Sequence, residues 1–180
     1  DSHGKLLACG MHDGTVLLRD VGGGPATYAI EIARRYGDLQ AVVFDRPETL
    51  VVARRRIRRA GLEERVSTQA GDALRDPLGG PYDFILVSNL IHIFPAAANR
   101  DLVARCAAAL AAGGRLCLKD FFMDPGGTSP AGGAIFAVNM LVASEGGDCY
   151  RTSEVEEWLA NAGLRRDELI ELTPRSRLLL

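Results

Sequence analysis

Three groups of residues in this chain have the types and spacing to do chemistry. Asp20 to Ala26 reads DVGGGPA, directly after the apolar run Thr15 to Leu18 and directly before a stretch with helical apolar spacing. Strand, glycine turn and helix in that order make a site for a nucleotide-type cofactor in an open α/β sheet. Gly22 and Gly24, lacking a Cβ, let the main chain turn tightly and approach a ligand, while the first amides of the following helix point into the site. A carboxylate comes next. Gln40 to Asp45 reads QAVVFD, and an acid at the tip of a second strand sits beside the first turn, where it can accept both hydrogen bonds of a ribose diol. The third group is His92, which follows the apolar run Tyr82 to Val87 at the carboxyl edge where ligands of such sheets sit. Taken alone, the glycine turn is equally a plain tight turn, and His92 a histidine that caps a strand end.

These residues need elements to hold them. Pro25 suits a first helical position, and Ile30, Ala33 and Tyr36 carry an apolar face ending near Gly37. Pro47 opens a second helix that stops at Gly61, before a short strand over Arg65 to Ala70. YDFILV, Tyr82 to Val87, is the continuous apolar run of a central parallel strand. A helix is predicted over Asn99 to Leu110, closed by Gly113 and Gly114, with a fifth strand starting at Arg115. Asp124 to Gly133 reads as a loop before an apolar helix, Ile135 to Val142. Ser153 and Glu156 match a capping box for a helix ending at Gly163, and Glu168 to Leu172 and Arg177 to Leu180 form an antiparallel pair joined by a turn at Pro174. The alternation calls for a parallel sheet with helices on both faces.

Composition narrows the class. A chain of 180 residues with 47% hydrophobic and 24% charged residues is of single-domain size, and its formal net charge of −2 argues against a general electrostatic grip on nucleic acid or acidic lipid. Arg54, Arg55, Arg56, Arg58 and Arg59 share a stretch with Leu50, Val51 and Ile57, so they read as the solvated side of a helix. Cys9, Cys106, Cys117 and Cys149 have no metal-ligand or redox spacing, which points to reduced thiols, a cytoplasmic location and no metal. No stretch is long enough to span a bilayer and no signal peptide is visible. The start at Asp1 rather than Met reads as a trimmed chain, and His3 and His12 have no context that suggests a role.

At larger scale the series DVGGG, VVFDRPE, AGDALRDPLGGPYDFILVSNLIH, AAGGRLCLKDFFMD and AVNMLVASEGG resembles the catalytic domain of S-adenosylmethionine-dependent small-molecule O-methyltransferases, from about Val16 to the C-terminus. The family includes caffeate, acetylserotonin and bacterial polyketide enzymes. The resemblance implies a Rossmann-like class I methyltransferase fold of the α/β class, with a mostly parallel seven-stranded sheet, helices on both faces and an antiparallel C-terminal edge. It implies S-adenosyl-L-methionine as cofactor, a small-molecule hydroxyl acceptor, and a homodimer for the full-length protein.

Residue by residue, the resemblance places Asp20, Gly22 and Gly24 at the methionine part of the cofactor, Asp45 at the ribose, Asp72 and Ala73 at the adenine, and Ser88 and Asn89 where the fourth strand ends against it. It makes His92 the general base, Asp120 its acidic partner, and Asn139, Met140 and Glu145 the lining of the acceptor side. Met140 and Phe136 suit an ordinary core equally well. Such chemistry needs a base: a phenol of pKa about 10 is only about 0.1% ionised at neutral pH, whereas an imidazole is mostly available to take its proton.

Departures from the family pattern temper this. Ala26 replaces the last glycine of the usual GxGxG, Arg46 stands at a usually apolar position, and Ile93 follows His92 where many members have His or Asp. Residues 1–14 read as a remnant or linker that cannot replace the family's N-terminal dimerisation domain, leaving 15–180 as the catalytic domain. An alternative reading is therefore a cofactor-binding, catalytically silent domain that acts as dimer partner or scaffold. A nicotinamide-dependent oxidoreductase shares the glycine turn and Asp45 but has no reason to carry the later blocks.

Overall fold

The computed structural model describes residues 15–173 and 176–180. The remnant expected over 1–14, with His3, Cys9 and His12, and the turn expected at Pro174 lie outside the described residues. The strands are β1 (Val16–Val21), β2 (Leu39–Asp45), β3 (Val66–Ala70), β4 (Tyr82–Ser88), β5 (Leu110–Asp120), β6 (Leu169–Thr173) and β7 (Ser176–Leu179). The helices are α1 (Thr27–Arg35), α2 (Pro47–Ala60), α3 (Ala96–Ala108), α4 (Ala131–Ala143) and α5 (Thr152–Asn161). The sheet order is β3-β2-β1-β4-β5-β7-β6, mostly parallel with an antiparallel C-terminal edge. Among the described residues no helix is long and apolar enough to cross a membrane. The chain divides into two compact units, one running to Val87 and including Ala109–Leu116, the other made of Ser88–Ala108 and Cys117–Leu180.

In the first unit β1 pairs in parallel with β2 and with β4, and β2 with β3. The register sets Val21 against Phe44, so Asp20 and Asp45 finish neighbouring strands at one carboxyl edge. Leu18, Val21, Val43, Phe44 and Ile85 are buried from the strands. Helix α2 buries Leu50, Ala53 and Ile57, spaced i, i+3 and i+7, and each large side chain contributes about 1.5–3 kcal/mol by leaving water. All five arginines of α2 stay exposed, as a solvated face requires. Pro47 opens that helix, where no partner for its nitrogen is needed, and Gly61 closes it at φ 66°.

One residue of this core was not legible in the sequence. Arg19, in the middle of β1, is fully buried, with its guanidinium 4.4 Å from the centre of the Phe44 ring and 5.3 Å from that of Tyr82, and Nη1 donating to Gln69 Oε1 at 2.9 Å. Desolvated cation–π contacts of about 2 kcal/mol offset part of the cost of removing the charge from water.

The second unit departs from expectation at several element ends. Helix α3 starts at Ala96, after Pro95, rather than at Asn99. Strand β5 already begins at Leu110, in the first unit, and runs through Gly113 and Gly114 instead of being preceded by them. Gly114 is needed there because a Cβ would lie 2.9 Å from the Tyr82 carbonyl oxygen. Helix α4 starts after Pro130 and takes in Gly133, expected in a loop; that glycine packs on Met123, whose sulfur would lie 2.5 Å from a Cβ. The capping box expected from Ser153 and Glu156 sits two residues earlier: main-chain pairing of Met123 with residues 150–152 ends at Thr152, the helix starts there, and the Arg151 amide donates to Glu154 Oε2 at 3.0 Å. Cys106, Cys117 and Cys149 are buried.

Candidate active site

In the first unit the turn after β1 is built on residues that only glycine accommodates easily. Gly22 and Gly24 have φ of 66° and 55°. Gly23, not singled out from the sequence, has an ordinary φ but no room, since a Cβ would lie 2.7 Å from Asp20 Cγ and 2.8 Å from Val43 Cγ1. Ala26, buried, adopts φ 63° and ψ 26° ahead of α1, a left-handed conformation that costs an alanine about 1–2 kcal/mol.

Asp45 organises the far side of this turn. Its Oδ2 accepts the Gly24 amide at 2.8 Å and its Oδ1 the Arg46 amide at 2.7 Å. Two oxygens with about four lone-pair sites leave capacity for a diol. The Asp45 carbonyl accepts the Gly71 amide at 3.0 Å, which hangs the Asp72–Ala73 turn beside it. Gly71 presses on Phe44, whose ring carbons would lie 2.4 Å from a Cβ, while Asp72 Oδ1 accepts the Leu74 amide at 2.9 Å. The structure thus brings Asp20, Gly22, Gly24, Asp45, Asp72 and Ala73 into one turn-and-strand-end assembly.

Asp20 is the electrostatic outlier. It is 1% exposed, the Ala29 amide is the one backbone donor near its carboxylate and does not reach it in good hydrogen-bond geometry, and its pKa is pushed up to about 7. Burial is the main cause, the Ala29 amide pulls the value back down, and the negative charge of Asp45 raises it further.

In the second unit Ser88 is buried and Asn89, at φ 52°, turns the chain; its amide donates to the Lys119 carbonyl at 2.8 Å, and Lys119 Nζ donates to Asn89 Oδ1 at 2.7 Å. A single 3₁₀ turn, Ile91–Ile93, then presents His92. His92 Nδ1 lies 2.7 Å from Asp120 Oδ1, with the two side chains 12% and 2% exposed. The same oxygen accepts the Phe121 amide at 2.8 Å, so it is an acceptor, Nδ1 carries the proton, and Nε2 is left as the basic nitrogen.

Two aromatic residues frame this pair: Phe136, which the sequence allowed equally as core, and Phe121, which it did not single out. Phe121 and Phe136 stack at 4.3 Å, and His92 meets both edge-on at 6.1 and 5.1 Å. Phe136 shares a flank of α4 with Asn139 and Met140 by i, i+3 and i+4 spacing. Met140 is buried, whereas Asn139 and Glu145 are exposed. The turn after Glu145 bears on the imidazole's own main chain, because a Cβ at Gly147 would lie 2.2 Å from the His92 carbonyl oxygen. Among the described residues no group of three His, Cys, Asp or Glu could hold a metal.

Comparison with known proteins gives consistent matches. Residues 4–165 match the family model of the O-methyltransferase domain. The chain is 34% identical over 159 residues to 3-hydroxy-5-methyl-1-naphthoate 3-O-methyltransferase of Streptomyces sahachiroi, covering 88% of this chain and 46% of that protein. It is 29% identical over 151 residues to L-tyrosine C(3)-methyltransferase of Streptomyces lavendulae, covering 83% and 41%. The crystal structure of an O-methyltransferase family 2 protein from Planctomyces limnophilus in complex with apigenin superposes with a TM-score of 0.89 at 28% identity, over 97% of this chain and 53% of that one. The chain spans about half the length of these relatives.

Proposed function

The chain belongs to the O-methyltransferase domain family, and from that premise we propose that it binds S-adenosyl-L-methionine and methylates an aromatic hydroxyl of a small molecule. When bound, this cofactor supplies a methyl group already activated by a cationic sulfur. The residues of the first unit fit it. Gly22 to Gly24 would hold the methionine end, the remaining lone pairs of Asp45 would take the ribose diol, and the Asp72–Ala73 turn would border the adenine.

The observation that carries the reading is the His92–Asp120 pair. Asp120 fixes the imidazole tautomer, so Nε2 accepts the proton of the acceptor hydroxyl as its oxygen gains the methyl group, and the carboxylate supports the imidazolium that forms. The half-buried Phe121 and Phe136 give a flat ring a surface beside that base. One relative is named for methylating the 3-oxygen of a hydroxynaphthoate and another is in complex with apigenin, itself a phenol, which supports a phenolic acceptor here, whereas the tyrosine relative is named for methylation at carbon.

A second reading, binding without transfer, draws on the strained Ala26 in the cofactor turn. Calorimetric titration with S-adenosylmethionine followed by a methyl-transfer assay over a panel of phenols and naphthols separates the two. Binding with methyl ether formation supports the enzyme, binding alone supports the silent domain, and failure to bind overturns both.

A further inference from the structure

We propose that Asn99 is a positioning residue for His92, an inference that rests on the reading of His92 as the base. Asn99 projects from the first turn of α3 and is fully buried. Its Nδ2 donates to the carbonyl of Ile91 at 2.8 Å and to the carbonyl of Phe94 at 3.0 Å. Two acceptors at one end of the amide identify that end as the nitrogen. These carbonyls belong to the residue before His92 and the second residue after it. One side chain therefore pins both sides of the 3₁₀ turn that carries the imidazole, while Asp120 pins the ring itself.

The surroundings make this clamp rigid. The Tyr150 hydroxyl donates to the same Phe94 carbonyl at 2.5 Å. Gly147 packs on the His92 and Ile93 carbonyl oxygens, which would lie 2.2 and 3.0 Å from a Cβ. Asn99 is also an expensive residue for a merely structural position, since its Oδ1 is buried with no hydrogen-bond partner among the described residues. An apolar side chain would fill the space without stranding that oxygen, but it could not hold two carbonyls three residues apart. Displacement of a catalytic group by about 1 Å can cost about 10²-fold in rate, so a small relaxation of this turn matters to turnover while leaving the first unit untouched.

The test uses the full chain with Asn99→Ala and with Asn99→Asp, which keeps the volume but removes both donors. The downfield Nδ1–H proton of His92 is followed by NMR and assigned by its loss in His92→Gln, and turnover with a series of ring-substituted naphthols is measured in the parent and in a His92→Ala background. The expected result is a lost or broadened Nδ1–H signal and a fall in turnover of about 10- to 100-fold in the parent background, with no more than about a twofold further fall in His92→Ala. Cofactor affinity stays unchanged in all variants, which also reports that they are folded. An unaltered signal with unaltered turnover overturns the inference, as does a loss of equal size in both backgrounds. A His92→Ala protein as active as the parent overturns the base assignment instead, and the proton signal then still decides whether Asn99 holds the ring.

Discussion

His92 Nδ1 and the Phe121 amide converge on a single oxygen of Asp120, at 2.7 and 2.8 Å, while the other oxygen of that carboxylate is buried without a hydrogen-bond partner among the described residues. An acceptor held by its own strand's continuation cannot rotate away, so the imidazole is presented in one tautomer. Replacing Asp120 by Asn offers the ring an amide that can donate to Nδ1, moving the proton to Nε2 and removing the base. Turnover with phenols should fall by roughly 10²-fold or more with cofactor affinity intact. Steady-state kinetics alongside calorimetry check this, and turnover at the parent level would show that Asp120 has no part in the reaction.

Gly23 should be intolerant for a reason independent of its φ. A Cβ there collides with Asp20 and Val43, so Gly23→Ala should destabilise by about 1–3 kcal/mol and weaken cofactor binding by about tenfold or more. Scanning calorimetry with and without S-adenosylmethionine tests it; a variant matching the parent in both would mean the turn yields easily.

Asp20 makes stability depend on pH with a definite sign. Its folded pKa of about 7 lies above the ordinary carboxyl value of 3.8, so the folded protein binds more protons between those limits and stability contributed by this group is lost as pH rises from about 4 through 7. The penalty at pH 8 is on the order of 4 kcal/mol, and Asp20→Asn should raise the melting temperature there, with the gain vanishing towards pH 4. A gain that is independent of pH would show that Asp20 is ionised in the folded state throughout.

Phe136→Ala should raise KM for aromatic acceptors by about 2- to 10-fold, the worth of one stacked ring pair, and leave cofactor affinity unchanged. An unchanged KM across a naphthol panel would remove Phe136 from the acceptor surface.

What the sequence reveals about this molecule is what acts locally. Pro47 and Gly61 bracket α2 through their own backbone preferences, the DVGGG turn follows its strand, and Asp45 ends the next one. Asp120 was placed beside His92 by the order of family motifs, which encode a contact across 28 residues that local chain preference does not contain. The missed features are likewise long-range. Arg19 looks like a poor strand residue until Phe44, Gln69 and Tyr82 surround it, the edge contact of Phe136 with His92 spans 44 residues, and Gly147 is required because the His92 and Ile93 carbonyls and Ser144 Oγ lie against it. Element ends shifted where tertiary pairing overrode local signals, as at Arg151, where the bridge to Met123 decides where α5 begins.

The most direct measurement is turnover and cofactor affinity of His92→Ala with a phenol of ordinary pKa. Turnover should drop by about 10²- to 10⁴-fold while S-adenosylmethionine binds within about twofold of its parent affinity. Turnover equal to the parent, or a parallel loss of turnover and cofactor binding, would contradict a proton-accepting role for this imidazole.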